Sequence, residues 1–351
     1  MNTNDVKKLY DEYVLSTYFR QDLCLVKGKG SWVEDIDGKK YLDFFPGWVV
    51  SGIGHCHPLV TKRLKEQLSK IMHVSNNFYN EVQPLLAKKI IEYSFPGKVF
   101  FANSGAEANE AAIKLARKYG NPARNEIITM TGSFHGRTIA TITATGQDKV
   151  QKGFDPLPEG FKYVPFNDIE AFRNAVSFKT IAVLLEFIQG EGGINVAGEE
   201  YIRAVYDICK SKDVLFMADE VQTCMGRTGE MFAFKHYGIE PDAITLAKSL
   251  GGGVPIGVLV VGNKYKDVLT PGTHASTFGG SPFISAAALA VFEAIEKDCL
   301  IDNARKMGKY IAKKLESLKL KYPVIKTIRG KALMIGVELA LPDASSVAAE
   351  C

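Results

Sequence analysis

Between residues 98 and 261 the sequence alternates short, almost wholly apolar runs with segments of helical periodicity. Strands that are apolar on both faces are typical of a mostly parallel sheet covered by helices on both sides. Six strands are predicted, over Val99–Ala102, Ile127–Met130, Ile181–Glu186, Val214–Asp219, Ala243–Ala247 and Ile256–Val261. The helical segments cover Ala106–Tyr119, Ile169–Val176 and Glu199–Lys210. The pattern predicts an α/β fold whose ligands bind beyond the carboxyl ends of the strands.

Less regular segments flank this region. Asp37-Gly38 suits a tight primed turn and predicts an N-terminal hairpin. We expect three parts: an N-terminal segment (1–48) that packs with the small domain, a large ligand-binding domain (49–281), and a smaller α+β domain (282–351). The elements that define the flanks are the hairpin strands Trp32–Ile36 and Lys40–Phe44, a helix that starts at Pro58, the helices Pro282–Lys297 and Asn303–Leu318, and the strands Val324–Ile328 and Leu333–Leu339.

Composition excludes several classes of protein. The net charge is only +4 over 351 residues, and the sequence contains no dense basic stripe. Both features argue against nucleic acid as a partner. No apolar run approaches the ~20 residues that span a bilayer, and the polar N-terminus lacks a signal-peptide core. The six cysteines are scattered, so free thiols in the cytoplasm are expected. His55 and His57 have no downstream ligand pair, and no metal site is predicted.

Lys248 directly follows a predicted strand and precedes three glycines. A lysine at the end of a buried strand is costly to keep charged, so its pKa tends to fall. The neutral amine is a nucleophile that can bond covalently to a cofactor aldehyde. Asp219 ends another apolar strand, and a buried carboxylate requires a cation or several hydrogen-bond donors. The protonated ring nitrogen of pyridoxal phosphate would supply that cation.

Asp219 also has two other interpretations. It could cap the loop after its strand, or it could be a Walker B acid, since apolar residues precede Asp219-Glu220. The chain contains no G-x-x-x-x-G-K-[ST] motif, which argues against an NTPase.

A strand ends and a helix begins near Ser104. Ser104 and Glu107 have the spacing of a capping box. Gly105 and Ala106 would present free N–H groups at the positive end of the helix dipole, which suits a phosphate. An ordinary capped helix would have the same local sequence.

Three further loops carry polar or aromatic residues after strands. Phe134 could stack on a cofactor ring, and Arg137 could bind a carboxylate. Glu186 and Glu191 lie on a glycine-rich loop, and Thr277 offers a hydroxyl to a phosphate. Each loop alone could be an ordinary turn, but their shared position after strands makes the combination specific.

The chain closely resembles the class III pyridoxal phosphate aminotransferases from about Tyr18 to Leu339. Within the class it is most similar to the branch that acts on acetylornithine in arginine biosynthesis, with the ornithine and 4-aminobutyrate branches as near relatives. The motifs that carry the resemblance are Gly54-His55-Cys56-His57-Pro58, Asn103 to Glu110, Phe134-His135-Gly136-Arg137, Gln189-Gly190-Glu191-Gly192, Asp219-Glu220-Val221-Gln222 and Ala247-Lys248. The resemblance implies fold type I, a ping-pong transfer of an amino group to 2-oxoglutarate, and a homodimer with shared active sites.

The resemblance also implies roles for individual residues. Lys248 would bond to the cofactor and move the proton, Asp219 would face the ring nitrogen, and Arg137 would bind the substrate α-carboxylate. The implied catalytic and cofactor-binding residues are Lys248, Asp219, Ser104, Gly105, Ala106, Phe134, Gln222 and Thr277, the last from the neighbouring subunit. The implied substrate-binding residues are Arg137, Glu191 as a selective gate, Tyr18 and Trp48.

The end of the chain departs from the family pattern. Family members continue past Leu339 and supply an arginine that pairs with the residue corresponding to Glu191. Residues 340–351 contain no arginine. We therefore expect an incompletely packed small domain, a disordered tail and weakened turnover with 2-oxoglutarate. The alternatives left open are ornithine or 4-aminobutyrate as donor, and a protein that binds the cofactor without catalysis.

Overall fold

The computed structural model describes residues 1–341, 344 and 347. The helices are α1 (Thr3–Tyr13), α2 (Pro58–Leu68), α3 (Val82–Tyr93), α4 (Gly105–Gly120), α5 (Ile139–Ala144), α6 (Asp148–Gln151), α7 (Ile169–Ala175), α8 (Glu199–Ser211), α9 (Pro282–Lys297) and α10 (Leu300–Lys319). The strands are β1 (Leu25–Lys29), β2 (Trp32–Asp35), β3 (Lys40–Leu42), β4 (Gly97–Ala102), β5 (Glu126–Met130), β6 (Phe161–Val164), β7 (Thr180–Leu185), β8 (Ile188–Gln189), β9 (Asn195–Val196), β10 (Leu215–Asp219), β11 (Ala243–Leu246), β12 (Gly257–Gly262), β13 (Ile325–Lys331) and β14 (Met334–Leu339).

A seven-stranded sheet in the order β4-β12-β11-β10-β7-β5-β6 organises the chain. Strand β12 is antiparallel to both of its neighbours, whereas the pairs from β11 to β6 are parallel. The prediction of an α/β fold with a mostly parallel sheet is confirmed. All six predicted strands belong to this sheet, and the added edge strand is β6.

The apolar strands of the sheet are buried on both faces. In β7, Val183 and Leu185 pack in one hydrophobic cluster with residues of α8 and α9, while Ala182 and Leu184 pack in a second cluster with residues of α4. This alternation follows from the two-residue period of a strand. The helices therefore cover both faces, and the open edge at the strand ends is left for a ligand.

The flanking segments form smaller sheets. Strands β1, β2 and β3 form an antiparallel sheet, and Gly38 has a φ of +85° in the predicted hairpin turn. Strands β13 and β14 form an antiparallel pair after α10. Helix α9 packs into the main core through buried residues such as Val291 and Phe292. The boundaries at residues 48 and 281 stay a prediction.

The expected tail disorder falls mostly on residues 342, 343, 345, 346 and 348–351, which lie outside the described residues. Among the helices of the described part, none combines the length and apolar character that crossing a membrane requires. The cysteines at positions 24, 56, 209, 224 and 299 are unpaired. The Nε2 atom of His55 lies 2.6 Å from Asp43, and that of His57 lies 3.2 Å from Asp298.

Candidate active site

A cavity of about 650 Å³ opens where strands β4, β10 and β11 end. Nine of the predicted site residues line it, namely Tyr18, Ser104, Gly105, Ala106, Phe134, Arg137, Asp219, Gln222 and Lys248. The fold therefore brings together residues that are more than 200 positions apart in the sequence.

Lys248 begins a short 3-10 helix, separated from the end of β11 by Ala247 alone, and has a φ of +47°. A non-glycine residue in the left-handed region carries backbone strain, and such residues cluster at functional sites. Burial lowers the pKa of the Lys248 amine, while the nearby carboxylates of Asp219, Glu191 and Glu186 oppose this shift. The pKa therefore shifts in the direction that makes the amine available as a nucleophile and base.

Asp219 ends β10 and is 3% exposed. Its Oδ2 atom accepts a hydrogen bond from Asn109 Nδ2 at 2.7 Å and lies 2.8 Å from His135 Nδ1. Its Oδ1 atom accepts a hydrogen bond from the backbone N–H of Val221 at 3.0 Å. These contacts hold the carboxylate in one orientation at the cavity wall.

Two further residues fix the groups that surround Asp219. Thr245 on β11 donates its hydroxyl to Asn109 Oδ1 at 2.7 Å, so the Asn109 amide nitrogen faces Asp219. The backbone N–H of His135 donates to Thr145 Oγ1 at 2.9 Å. The roles of Asn109, His135 and Thr245 were not predicted from the sequence. Asn109 and His135 lie within motifs quoted above, but their partners come from distant strands.

Helix α4 starts at the cavity with its first amides free. The Ser104 hydroxyl accepts a hydrogen bond from the N–H of Glu107 at 3.2 Å. The Glu107 carboxylate accepts from the backbone N–H of Asn103 at 2.6 Å, one residue before the position that a full capping box would use. The N–H groups of Gly105 and Ala106 therefore keep no intrahelical acceptor and remain available to an anion.

Arg137 is exposed, and its guanidinium carbon lies 5.4 Å from the centre of the Phe134 ring. Within the described part of the chain it makes no ion pair with a carboxylate. Glu191 does not line the cavity, but its Oε1 atom accepts a hydrogen bond from Gln222 Nε2 at 3.5 Å. Glu191 therefore contacts a residue of the cavity wall without lining the cavity itself.

Besides Glu191, two predicted site residues do not line this cavity. Trp48 is 54% exposed, and its ring lies 4.9 Å from that of Phe45. Val50, two residues further on, reaches the cavity instead. Thr277 is exposed in the loop before α9. The roles predicted for Trp48 and Thr277 stay predictions.

Glu220, next to Asp219, is fully buried and points away from the cavity. Its carboxylate accepts hydrogen bonds from the backbone N–H groups of Ala233 and Phe234, each at 2.8 Å. Burial raises the pKa of Glu220 to about 7, and the hydrogen bond from Thr223 opposes the shift. Glu220 is thus a structural acid that connects β10 to residues 233–234.

Replacing Glu220 with glutamine tests this pKa shift. Because the folded pKa is raised from 4.5 to about 7, the stabilisation by protonated Glu220 is present below pH 4.5 and lost as pH rises through 7. The unfolding free energy of the wild type should fall relative to Glu220→Gln by up to about 3 kcal/mol across that range. Denaturant unfolding of both proteins below pH 4.5 and above pH 7 measures this difference; a constant difference would contradict the shift.

Comparison with known proteins identifies the family. Residues 16–350 match the family model described as aminotransferase class III. The chain is 53% identical over 340 residues to acetylornithine aminotransferase of Caldanaerobacter subterraneus, covering 96% of this chain and 86% of that protein. It is 52% identical over 343 residues to acetylornithine aminotransferase of Methanocaldococcus jannaschii, covering 97% and 86%.

A solved structure of ornithine aminotransferase from Toxoplasma gondii matches with a TM-score of 0.92 at 33% identity, covering 98% of this chain and 82% of that chain. That structure contains pyridoxal phosphate (PLP) at partial occupancy in its active site. Acetylornithine aminotransferase from Elizabethkingia anophelis matches with a TM-score of 0.89 at 34% identity, covering 99% and 88%.

The cavity suits this cofactor in three ways. The amides of Gly105 and Ala106 suit its phosphate, the buried carboxylate of Asp219 suits its protonated ring nitrogen, and the Lys248 amine suits its aldehyde. A Cβ atom at position 105 would lie 2.9 Å from Val221 Cγ1, which is too close. Glycine at this position avoids that clash beside the expected phosphate site. The chain therefore belongs to the class III aminotransferases, and its cofactor is pyridoxal 5′-phosphate.

Proposed function

We propose that the enzyme transfers the δ-amino group of N-acetylornithine to 2-oxoglutarate. The observation that carries the proposal is the identity of 53% and 52% to two acetylornithine aminotransferases over nearly the whole chain. The similar ornithine aminotransferase of Toxoplasma gondii is 33% identical. The proposal is also supported by Lys248, Asp219 and Arg137, which line one cavity.

Lys248 and Asp219 would have different roles in the reaction. The bound cofactor delocalises the negative charge that develops when the amine-bearing carbon of the substrate loses its proton. The Lys248 amine, with its lowered pKa, takes this proton and returns it as general acid and base. Asp219 would face the ring nitrogen, and Asn109 and His135 hold its carboxylate in one orientation for that contact.

Comparing amino donors tests the proposed substrate. We expect kcat/KM for N-acetylornithine to exceed the values for ornithine and 4-aminobutyrate by at least about tenfold. The free α-amine of ornithine would be a charge without a partner in a pocket for an acetamide, and 4-aminobutyrate lacks the acetamide that such a pocket binds. Glutamate formation from 2-oxoglutarate measures each rate. A higher kcat/KM for ornithine or 4-aminobutyrate would assign the enzyme to that alternative activity.

Arg137→Lys tests the proposed carboxylate contact. Lysine keeps the charge but loses the planar fork that binds both carboxylate oxygens. We expect KM for 2-oxoglutarate to rise about tenfold with a smaller change in kcat. Arg124→Lys is the control, because Arg124 pairs with Asp213 and does not line the cavity. An unchanged KM in Arg137→Lys would remove Arg137 from the substrate site.

The enzyme would act as a homodimer in which Thr277 binds the phosphate in the partner's site. Thr277 is exposed and does not line the cavity of its own chain. Its neighbour Phe278 is 59% exposed, and exposed Phe78 and Tyr79 add apolar surface that a second copy would cover.

Hybrid dimers test the sharing of sites. One mixes Lys248→Ala subunits with Thr277→Ala subunits after confirming the dimer by light scattering. If Thr277 acts across the interface, one site of each hybrid contains both intact residues, and activity returns on mixing. If Thr277 acts in its own subunit, both sites are defective and mixing restores nothing.

Free thiols at the described cysteines fit a reducing compartment, and we propose a cytoplasmic location. Cell fractionation with an antibody to the protein measures it. Recovery in an oxidising compartment or with membranes would contradict this proposal.

A further inference from the structure

The proposed gate residue, Glu191, lies in a four-residue turn. The N–H of Gly193 donates to the carbonyl oxygen of Gly190 at 3.3 Å and closes the turn. Gly193 has a φ of +104°, which suits glycine and would strain other residues. Glu191 is the second residue of this turn, so the position of its carboxylate depends on how the turn is held.

Glu186 holds the first residue of the turn. Its side chain is 3% exposed, and its Oε1 atom accepts a hydrogen bond from the N–H of Gly190 at 3.2 Å. Its Oε2 atom accepts a second hydrogen bond from the N–H of Phe134 at 3.0 Å. One buried carboxylate therefore joins the Glu191 turn to the loop that carries Phe134 and Arg137.

Arg329 holds the last residue of the turn from the other side. It lies on β13, and its Nε atom donates to the carbonyl oxygen of Gly193 at 2.7 Å. Its Nη1 atom donates to Glu338 on β14 at 2.6 Å, which fixes the guanidinium. The turn is thus anchored at one end to the large sheet and at the other to the hairpin of β13 and β14.

Glu220 provides an internal comparison for Glu186. Both are buried glutamates that accept hydrogen bonds from two backbone N–H groups in different segments. Glu220 holds Ala233 and Phe234, which lie outside the cavity wall, whereas Glu186 lines the cavity and joins the Phe134 loop of the cavity wall to the Glu191 turn. The same pair of contacts therefore joins residues outside the cavity wall at Glu220, and joins the Phe134 loop to the Glu191 turn at Glu186.

We propose that Glu186 and Arg329 are positioning residues that fix the Glu191 turn against the loop of Phe134 and Arg137. They would thereby set the discrimination between substrates. Breaking either hydrogen bond would leave the buried Glu186 carboxylate without one of its N–H partners, which is costly. The two loops are therefore held in a fixed relative position. The identity of the substrates in this inference rests on the proposed function, but the anchoring of the two loops can be tested without any substrate.

Hydrogen exchange in the resting enzyme tests the anchoring. Glu186→Gln keeps the size of the side chain but leaves one oxygen to accept from two donors. We expect exchange in residues 132–137 or 187–193 to accelerate about tenfold, because at least one loop loses its anchor. The control Glu220→Gln should accelerate exchange near residues 233–234 and leave both site loops unchanged. Unchanged exchange of both loops in Glu186→Gln would overturn the proposal.

Kinetics test the consequence for specificity. In Glu186→Gln and Arg329→Gln we expect KM for N-acetylornithine and for 2-oxoglutarate to change by unequal factors, with at least one rising about threefold or more. Arg305→Gln is the control, because Arg305 pairs with Glu230 and Asp302 away from the turn. Equal loss of kcat for all substrates, with KM constant, would overturn the role in specificity. A wild type inactive on N-acetylornithine would instead contradict the proposed function and leave the exchange result standing.

Discussion

Lys248→Ala is expected to lower the rate of transamination by about 10³-fold or more, because the reaction loses its proton-transfer group. The variant should also lose the covalent link between protein and cofactor, since alanine has no amine. Stopped assays of glutamate formation measure the rate. The visible absorbance band of the resting enzyme, and its disappearance on adding the amino donor, report the link.

Lys264→Ala is the matched control for this experiment. Lys264 is an exposed lysine in an ion pair with Asp213, and it does not line the cavity. We expect wild-type absorbance and rate in this variant. A Lys248→Ala protein with the absorbance band and activity of the wild type would refute the role assigned to Lys248.

Asp219→Asn is expected to lower kcat/KM by about 10²- to 10³-fold, a loss of the size that other enzymes show when one preorganised polar group at the reacting atoms is removed. Asparagine is similar in size but neutral, so the cofactor ring nitrogen would lose its ionic partner. The amide would also face two neighbours, Asn109 and His135, that are arranged around a carboxylate. Steady-state kinetics with saturating cofactor separate this loss from weaker cofactor binding.

Asp242→Asn controls for the removal of a buried carboxylate beside the sheet. Asp242 precedes β11, accepts a hydrogen bond from the N–H of Phe216 at 2.9 Å and pairs with Lys210 at 2.7 Å. It does not line the cavity. We expect this variant to lose stability and retain kcat/KM. Similar losses of kcat/KM in both variants would indicate that Asp219 acts only through folding.

The strands of the sheet were predictable because burial on both faces makes them apolar throughout. All residues of β7 are buried, and its sequence contains no polar residue after Thr180. The edge strand β6 was missed, because its residues include exposed Tyr163 and partly exposed Lys162. A short half-exposed strand lacks the signal on which the prediction depended.

The position of the site followed from the rule that ligands bind at strand ends, which placed Lys248 and Asp219 together. The residues that orient Asp219 could not be predicted in this way. Asn109 and His135 reach it from 110 and 84 positions away, through an order of strands that the sequence does not display. Glu186 was predicted as a loop carboxylate, and its burial between two backbone amides became visible only in the structure.

Borohydride reduction of the holoenzyme, followed by peptide mass mapping, tests the proposed covalent attachment most directly. Reduction makes the bond between the cofactor and its lysine permanent, so the modified residue can be identified. We expect the pyridoxyl group on Lys248 in the wild type and on no lysine in Lys248→Ala. A pyridoxyl group on a different lysine of the wild type would contradict the site described above.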